Sequence, residues 1–221
     1  CAACAGAAGL LTGRTAARGA EDGGKTRIRI IYSLHAAKQP GPDWPNVGFD
    51  FGPVMERINA ELTKRCPGFE FVSSMATGPE QAQKILEDDR SAAIDGYLVY
   101  QMNCWNRVVQ TIAKSDKPVL YADFQFAGSG GFLVYTAGFL RAKTSNVGFV
   151  ASSRIEDLAE AVKCFELVKR GGTAADFVAA TARVRIARTP APGDLTCTPD
   201  PVKTLSPEEC LRKMKESKIL A

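Results

Sequence analysis

Histidine is almost absent from this sequence of 221 residues, in which His35 is the only one. A metal site built on several histidines is therefore excluded within this chain, and a Ser-His-Asp or Cys-His catalytic site would have to use that single ring. An excess of one charge is lacking as well, because 28 Lys and Arg against 24 Asp and Glu leave a net charge of +4. So small an excess does not indicate a nucleic-acid-binding or membrane-binding surface.

Two common phosphate-binding motifs are missing from the glycine-rich segment GSGG at 128–131. A P-loop requires Lys and then Ser or Thr after its glycines, but Phe132 follows here. The dinucleotide fingerprint requires a third glycine where Leu133 stands, and it should follow the first strand. Two explanations stay open: the glycines present N–H groups to an anion or hydroxyl, or they only permit a tight strand-to-helix turn.

The seven cysteines do not form the pattern of a disulfide-rich protein. Two of them lie in the first 20 residues, and the other five are widely spaced and include no C-x-x-C pair. Cys66 and Cys164 fall on predicted helices and are interpreted as small buried hydrophobic residues. Cys197 and Cys210 flank a Pro-rich tail and could form one disulfide bond.

Residues 1–24 are interpreted as the remnant of an export signal followed by a linker. They are small and apolar as far as Leu11 and then become polar, with Ala-rich sites typical of signal cleavage. The apolar stretch is too short to span a bilayer, and it resembles the leaders of twin-arginine export without the two arginines. We therefore expect an exported, periplasmic protein with no membrane contact beyond the signal. The alternatives are a disordered cytosolic tail and a lipid-anchored Cys1.

From Arg27 onward, strand and helix patterns alternate. The predicted strands cover 27–34, 69–75, 94–102, 117–124 and 146–153. The predicted helices cover 53–66, 78–89, 105–115, 132–141 and 154–170. Short apolar strands separated by amphipathic helices predict an α/β domain over residues 25–170, with a flavodoxin-like or Rossmann-like five-stranded parallel sheet and helices on both faces.

Residues 171–221 are predicted to form a C-terminal extension. The segment RVRIAR at 183–188 is typical of a strand or helix with a solvated face, and a Pro-rich linker follows it. Ser206 and Pro207 then begin a predicted helix over 206–217. The last residues, KILA, are interpreted as the start of a strand, which predicts the beginning of a truncated second domain or a chain that pairs with a partner subunit.

Polar residues follow three of the predicted strands at the edge where ligands of parallel sheets bind. The candidate substrate-binding residues are His35, Trp44, Asn103, Trp105, Asn106, Asp123, Gln125 and Ser129. Planar polar groups bind adjacent hydroxyls, and an indole covers the C–H face of a sugar ring, so this set favours a carbohydrate ligand. The alternative is structural: Trp44 covers the core, and Asn103 and Asn106 cap the next helix.

Two further sites are open at this edge. Cys104 is the only plausible nucleophile, but a buried inert thiol is the favoured interpretation. Asp43, Asp50 and Asp123 could gather around a cation if their loops fold inward, but their spacing does not demand it.

Two long segments resemble a known family: IDGYLVYQMNCWNRVVQTIAKSDKPVLYADFQFAGSGGFL and VGFVASSRIEDLAEAVKCFELVKR. They are similar to the amino-terminal α/β domain of the L-fucose/L-arabinose isomerase-like proteins, especially exported bacterial members. CPGFEF and KPVLYADFQFAGSGGFL carry most of the resemblance, which covers residues 27–170 and the tail. Members with known activity interconvert aldoses and ketoses with a divalent metal, commonly manganese, held by Glu, Asp and His of later domains. No position of this chain matches those ligands.

The resemblance implies a domain that binds a carbohydrate, binds no cofactor itself and is not catalytic alone. Manganese or another divalent metal would belong to the complete enzyme, a metal-dependent sugar isomerase. The expected partners are a missing C-terminal domain or partner subunit, within a homo-oligomer. The alternatives are a periplasmic sugar-binding module without chemistry and a small enzyme that uses Cys104 or His35.

Overall fold

A computed structural model describes residues 24–125, 127–197 and 204–218. The predicted export signal and the predicted final strand lie almost entirely outside these residues. Within them, no helix is long and apolar enough to cross a membrane.

The sheet has five strands, all parallel, in the order β2-β1-β3-β4-β5. The strands are β1 (Thr26–Ser33), β2 (Phe69–Ala76), β3 (Gly96–Gln101), β4 (Val119–Asp123) and β5 (Val147–Val150). This is the flavodoxin-like order, so the predicted fold class is confirmed. The strand order reverses between β1 and β3, where the connections leave on opposite sides.

Helices cover both faces of the sheet. Those of the unit that contains the sheet are α1 (Gly52–Arg65), α2 (Pro79–Asp88), α3 (Val108–Ile112), α4 (Ser129–Arg141), α5 (Ile155–Lys163), α6 (Phe165–Lys169) and α7 (Ala174–Arg188), and one further helix, α8 (Pro207–Glu216), belongs to the C-terminal extension. Apolar residues of α1, α5 and α7 pack in the core on one face, and those of α2, α3 and α4 pack in the core on the other. Because both faces are covered, the strands are apolar on both sides, as parallel strands usually are.

Two predicted helices differ from the observed ones. The helix predicted over 105–115 is reduced to α3, because Trp105 and Arg107 have left-handed backbone angles, with φ of 64° and 57°. Such angles do not fit a right-handed helix. The helix predicted over 154–170 is divided at Cys164 into α5 and α6.

Helix α7 extends the compact unit to Thr189, beyond the boundary predicted at residue 170. A reciprocal capping box between Thr173 and Asp176 begins the helix. Phe177 is fully buried and stacks on Phe165, with 4.4 Å between ring centroids. The segment RVRIAR is therefore the end of a helix that packs on the α/β core.

Residues 190–221 form a separate unit. Its helix α8 begins with a capping box between Ser206 and Glu209, at the predicted position, and none of its residues is buried. Cys197 and Cys210 are both free and exposed, so the structure does not show the disulfide bond considered for them. Cys66 and Cys164 are free and buried, as expected of small hydrophobic residues.

Candidate functional site

The carboxyl ends of three adjacent strands carry a row of buried polar side chains. Ser33 of β1 lies opposite Gln101 of β3, which lies opposite Asp123 of β4. Ser33 and Gln101 are fully buried, and Asp123 is 6% exposed. Since buried polar groups are normally hydrogen-bonded, the partners of each side chain show whether it is free to meet a ligand.

At the point where the strand order reverses, the polar groups bind one another. The Ser33 hydroxyl donates to Asn106 Oδ1 at 2.6 Å, and Gln101 Nε2 donates to the same oxygen at 3.3 Å. Gln101 Oε1 accepts from the Tyr121 hydroxyl at 2.7 Å. Asn106 therefore holds the loop after β3 against β1, and its side chain is occupied by protein partners.

Asn103 joins the loop after β3 to the loop after β1. Its Oδ1 accepts from the His35 backbone N–H at 3.0 Å. Its Nδ2 donates to Gln39 Oε1 at 3.2 Å and to the Trp44 carbonyl at 3.0 Å. The side chain is fully buried, and these three bonds give it a role in positioning both loops.

The two tryptophans lie on the surface. Trp44 is 69% exposed and Trp105 is 61% exposed, so neither covers the core. Trp105 makes an edge contact with Tyr135 of α4, at 6.1 Å between ring centroids. Their indole faces are accessible, but they lie outside the cavity described below.

Within the described residues, Cys104 has no basic side chain as a partner. Its sulfur accepts a hydrogen bond from the Gly131 N–H at 3.3 Å and lies 3.4 Å from the Ala127 carbonyl oxygen. The His35 ring instead contacts the Cys104 carbonyl, with Nε2 2.9 Å from that oxygen. Among the described contacts, nothing supplies the general base that a nucleophilic cysteine requires.

Close packing explains two glycines of the GSGG segment. A Cβ atom at Gly128 would lie 1.9 Å from the backbone oxygen of Gln101, and one at Gly131 would lie 3.2 Å from the Cα of Cys104. The start of α4 thus approaches the end of β3 too closely for a side chain at position 128. The turn accounts for this glycine without a ligand.

A cavity of about 580 Å³ opens beside the ends of β4 and β5, between α1 and α5. Asp123 and Gln125 are the two predicted residues that line it. The structure adds Arg57 of α1, Tyr100 of β3, and Ser152 and Arg154 after β5. The other predicted residues lie elsewhere on the edge, except that Ser129 stands behind Asp123 as its hydrogen-bond donor.

Asp123 has only one of its two carboxyl oxygens satisfied. Oδ2 accepts from the Ser129 hydroxyl at 2.9 Å, whereas Oδ1 is buried and has no hydrogen-bond partner in the part of the chain that the structure describes. Burial raises the pKa of Asp123, and the bond from Ser129 opposes this rise. A buried polar atom without a partner costs about 1–3 kcal/mol, so Oδ1 is suited to accept a hydrogen bond from a bound molecule.

Most charges around the cavity are already paired. Arg65 contacts Glu61 at 2.9 Å and Glu156 at 2.7 Å, and Arg154 contacts Asp157 at 3.2 Å. By contrast, Arg57 has neither an ion pair nor a hydrogen bond within the described ranges.

Tyr100 adds a neutral hydroxyl to the cavity wall. Burial raises the pKa of Tyr100 to about 12, so this group is protonated at neutral pH. It lies in the electrostatic range of both Arg57 and Asp123. A protonated phenol both donates and accepts hydrogen bonds, which suits it to a polar ligand.

Several residues of this cavity were not among those predicted from the sequence. The predicted residues came from the loops after the first, third and fourth strands, but the handedness of the connections also places the loop after β5, with Ser152 and Arg154, at this edge. Arg57 and Tyr100 gave no such signal, because one lies within a helix and the other within a strand.

The three aspartates considered for a cation do not come together. In the described ranges, no group of three or more His, Cys, Asp or Glu side chains could hold a metal ion. Asp50 accepts from the Gly52 N–H at 2.9 Å, and Asp43 lies 3.8 Å from the His35 ring. Both belong to the loop after β1, away from the cavity.

Comparison with known proteins finds no matching family model, no matching curated protein and no matching solved structure.

Proposed function

We propose that the α/β unit binds a carbohydrate in the cavity between α1 and α5, and that it performs no catalysis by itself. The unpartnered oxygen of Asp123 carries this proposal. Asp123 lines the cavity at the strand edge where ligands of this fold class bind, and sugar hydroxyls are the kind of donor that its buried Oδ1 lacks.

The size and lining of the cavity support a ligand of this kind. A volume of about 580 Å³ lies within the usual range of small-molecule sites, roughly 300–1,000 Å³. Gln125 supplies an amide, and Tyr100 and Ser152 supply hydroxyls, so several ligand hydroxyls would find partners. The tryptophans lie outside the cavity, so ring stacking is not part of the proposal.

The resemblance to sugar isomerase-like proteins supports the carbohydrate class. It also places the catalytic metal in another domain, which agrees with a binding role for this unit. The rival reading, a small enzyme with Cys104 as nucleophile, predicts turnover by this chain that is lost in Cys104→Ala. The lack of a base beside the sulfur argues against that reading.

The test is a calorimetric and thermal-shift screen of this chain against pentoses, hexoses and deoxy sugars, each with and without manganese. Ligand binding raises the melting temperature by mass action. We expect a metal-independent shift with one sugar class, lost in Asp123→Asn and kept in Asp116→Asn. Asp116 is a matched control because it is exposed and lies just before β4, at the opposite edge of the sheet. No shift with any sugar would refute the proposal.

We also propose that a second copy of this chain packs on the outer face of α4. Leu133, Val134 and Leu140 are 67%, 50% and 61% exposed there, and no residue between Ser129 and Leu140 is charged. An exposed apolar patch of a few hundred Å² commonly marks an interface. An uncharged face is compatible with its own copy, because two-fold symmetry places the same surface on both sides and no like charges meet.

Light scattering after size-exclusion chromatography tests this interface. We expect the wild-type chain to form a dimer and Leu133→Glu to be monomeric. Ile186→Glu should remain dimeric, since Ile186 is 72% exposed but lies on α7. A monomeric wild type would refute this proposal.

A further inference from the structure

We propose that the ligand of this cavity is an acidic sugar, whose carboxylate or phosphate lies between Arg57 and the start of α5 and whose hydroxyl donates to Asp123. This inference rests on the proposed carbohydrate function and specifies the class of sugar. It depends on three features of the cavity: an unpaired cation, a helix N-terminus and an unsatisfied buried acid.

The start of α5 forms one wall of the cavity. Ser152, Arg154 and Ile155 line it, and α5 continues for nine residues. The first N–H groups of a helix have no acceptor within the helix, and the aligned peptide dipoles favour negative charge at this end. The Asp157 N–H already donates to the Arg154 carbonyl at 3.1 Å, so among the described contacts the N–H groups of Ile155 and Glu156 remain as donors for an anionic group in the cavity.

The acids near this helix start are already neutralised by arginines. Glu156 is paired with Arg65 at 2.7 Å. Asp157 accepts from Arg188 at 2.6 Å and from Arg154 at 3.2 Å. Because arginines already pair with these acids, the acids do not by themselves neutralise the positive end of helix α5.

Arg57 remains without an ion-pair partner among the described residues. Four arginines, namely Arg57, Arg65, Arg154 and Arg188, lie near four acids: Glu61, Glu156 and Asp157, which pair with three of the arginines, and Asp123, which pairs with none of them. Of these arginines, Arg57 is the one without a carboxylate partner within the described part of the chain. A guanidinium group forms charge-assisted, often bidentate hydrogen bonds with carboxylate or phosphate.

Asp123 requires that the ligand also carry a donor. Its side chain is 6% exposed, lines the cavity and has one oxygen without a partner. A simple inorganic anion has no reason to bind beside a carboxyl group. A molecule with an anionic group at one end and hydroxyls at the other satisfies both Arg57 and Asp123, and an acidic sugar is such a molecule.

Isothermal titration of the full chain with four probes tests the inference: glucose, glucuronate, glucose 6-phosphate and inorganic phosphate, with the galactose series in parallel. We expect at least one acidic sugar to bind roughly tenfold or more tightly than its neutral counterpart, which corresponds to about 1.4 kcal/mol. The arms with glucuronate and glucose 6-phosphate identify which anionic group the cavity prefers.

Three variants assign the effect to residues. Arg57→Gln should abolish the preference for the acidic sugar, and Arg57→Lys should retain part of the preference. Arg90→Gln is the matched control, because Arg90 is also exposed but lies in the turn after α2. Asp123→Asn should weaken binding of both neutral and acidic sugars.

The outcomes separate this inference from the proposed function. Equal affinity for neutral and acidic sugars would overturn the inference and leave carbohydrate binding intact. Inorganic phosphate that binds as tightly as the sugar phosphate, with no effect of Asp123→Asn, would overturn it in favour of a plain anion site. An acidic preference that persists in Arg57→Gln would also overturn it. If no probe binds, both the inference and the proposed function fail.

Discussion

Asp123→Asn is expected to stabilise the α/β unit at neutral pH, with a gain that disappears in acid. Burial raises the pKa of Asp123, with the Ser129 hydrogen bond opposing the rise, so the folded carboxyl keeps its proton where the unfolded chain has lost it. The free energy of unfolding therefore falls as the pH rises from the unfolded pKa, about 3.9, to the folded pKa, and it stays low above that. Asparagine has no proton to lose, so the variant lacks this fall.

The size of the gain follows from the unsatisfied oxygen. Each unit between the folded and unfolded pKa corresponds to about 1.4 kcal/mol, and an unpaired buried polar atom costs about 1–3 kcal/mol. The asparagine oxygen can still accept from the Ser129 hydroxyl, so that 2.9 Å bond is kept. The unpaired amide then costs less to bury than an unpaired carboxylate. We expect a net gain of about 1 kcal/mol near neutral pH.

Urea denaturation at a series of pH values, from about 3.5 to about 8, measures this difference across the titration range of carboxyl groups. Asp157→Asn is the control, for which we expect the opposite change in stability at neutral pH. Desolvation alone would raise the pKa of Asp157, but hydrogen bonds from Ser152, Arg188 and Arg154 outweigh it and lower the pKa. Its contribution to stability is present above the unfolded pKa and is lost as the pH falls through the folded pKa.

Asp157→Asn should therefore destabilise the protein by roughly 1 kcal/mol at neutral pH, because both arginines are partly exposed and solvent weakens their pairing. In acid this loss should shrink. For Asp123→Asn, a loss of stability at neutral pH, or a gain that does not change with pH, would refute the reasoning. A loss would mean that Oδ1 has a donor in solution and that the argument for a ligand there fails, whereas a gain independent of pH would mean that the ionisation of Asp123 does not cause it.

Two further predictions concern packing, and both are checked by urea denaturation. Gly128→Ala should destabilise the protein by about 2 kcal/mol or more, because its Cβ would lie 1.9 Å from a backbone oxygen at the end of β3. Gly130→Ala, whose nearest neighbour is 3.5 Å away, should be neutral or stabilising; equal effects would contradict the close approach. Phe177→Ala should cost about 3–5 kcal/mol because the ring is fully buried against Phe165. Leu195→Ala, at a 78% exposed position, should be within about 0.5 kcal/mol of wild type. A Phe177→Ala protein as stable as the Leu195→Ala control would show that α7 is dispensable.

The pattern of the sequence predicted the sheet because the signals for parallel strands are local. Each strand is a short apolar run between helical patterns, and the predicted carboxyl ends of the third and fourth strands lie within one residue of the observed ends. The errors occurred where local pattern and backbone conformation disagree. Helix α3 starts later than predicted because Trp105 and Arg107 adopt left-handed angles. Helix α7 was assigned to the extension because its own charged sequence gives little indication that it packs against β5.

The candidate site was predicted less completely than the fold. The sequence indicated which loops share an edge, since connection handedness follows from chain chirality. It could not show that Asn103 and Asn106 bind other parts of the protein, because their partners are 59 to 73 residues away in the chain. Nor could it show that Arg57 faces the same cavity as Asp123, which depends on how α1 packs against the sheet.

By itself, the amino-acid sequence determined the alternation of strands and helices, the class of the fold and the edge at which polar loops meet. These features follow from periodicity and handedness, which act over short stretches of chain. Only the tertiary structure decided which polar groups at that edge satisfy one another and which, like Asp123 Oδ1, are left without a partner. The physical reason is that a hydrogen bond depends on atoms within about 3 Å of each other, and residues distant in sequence provide those atoms.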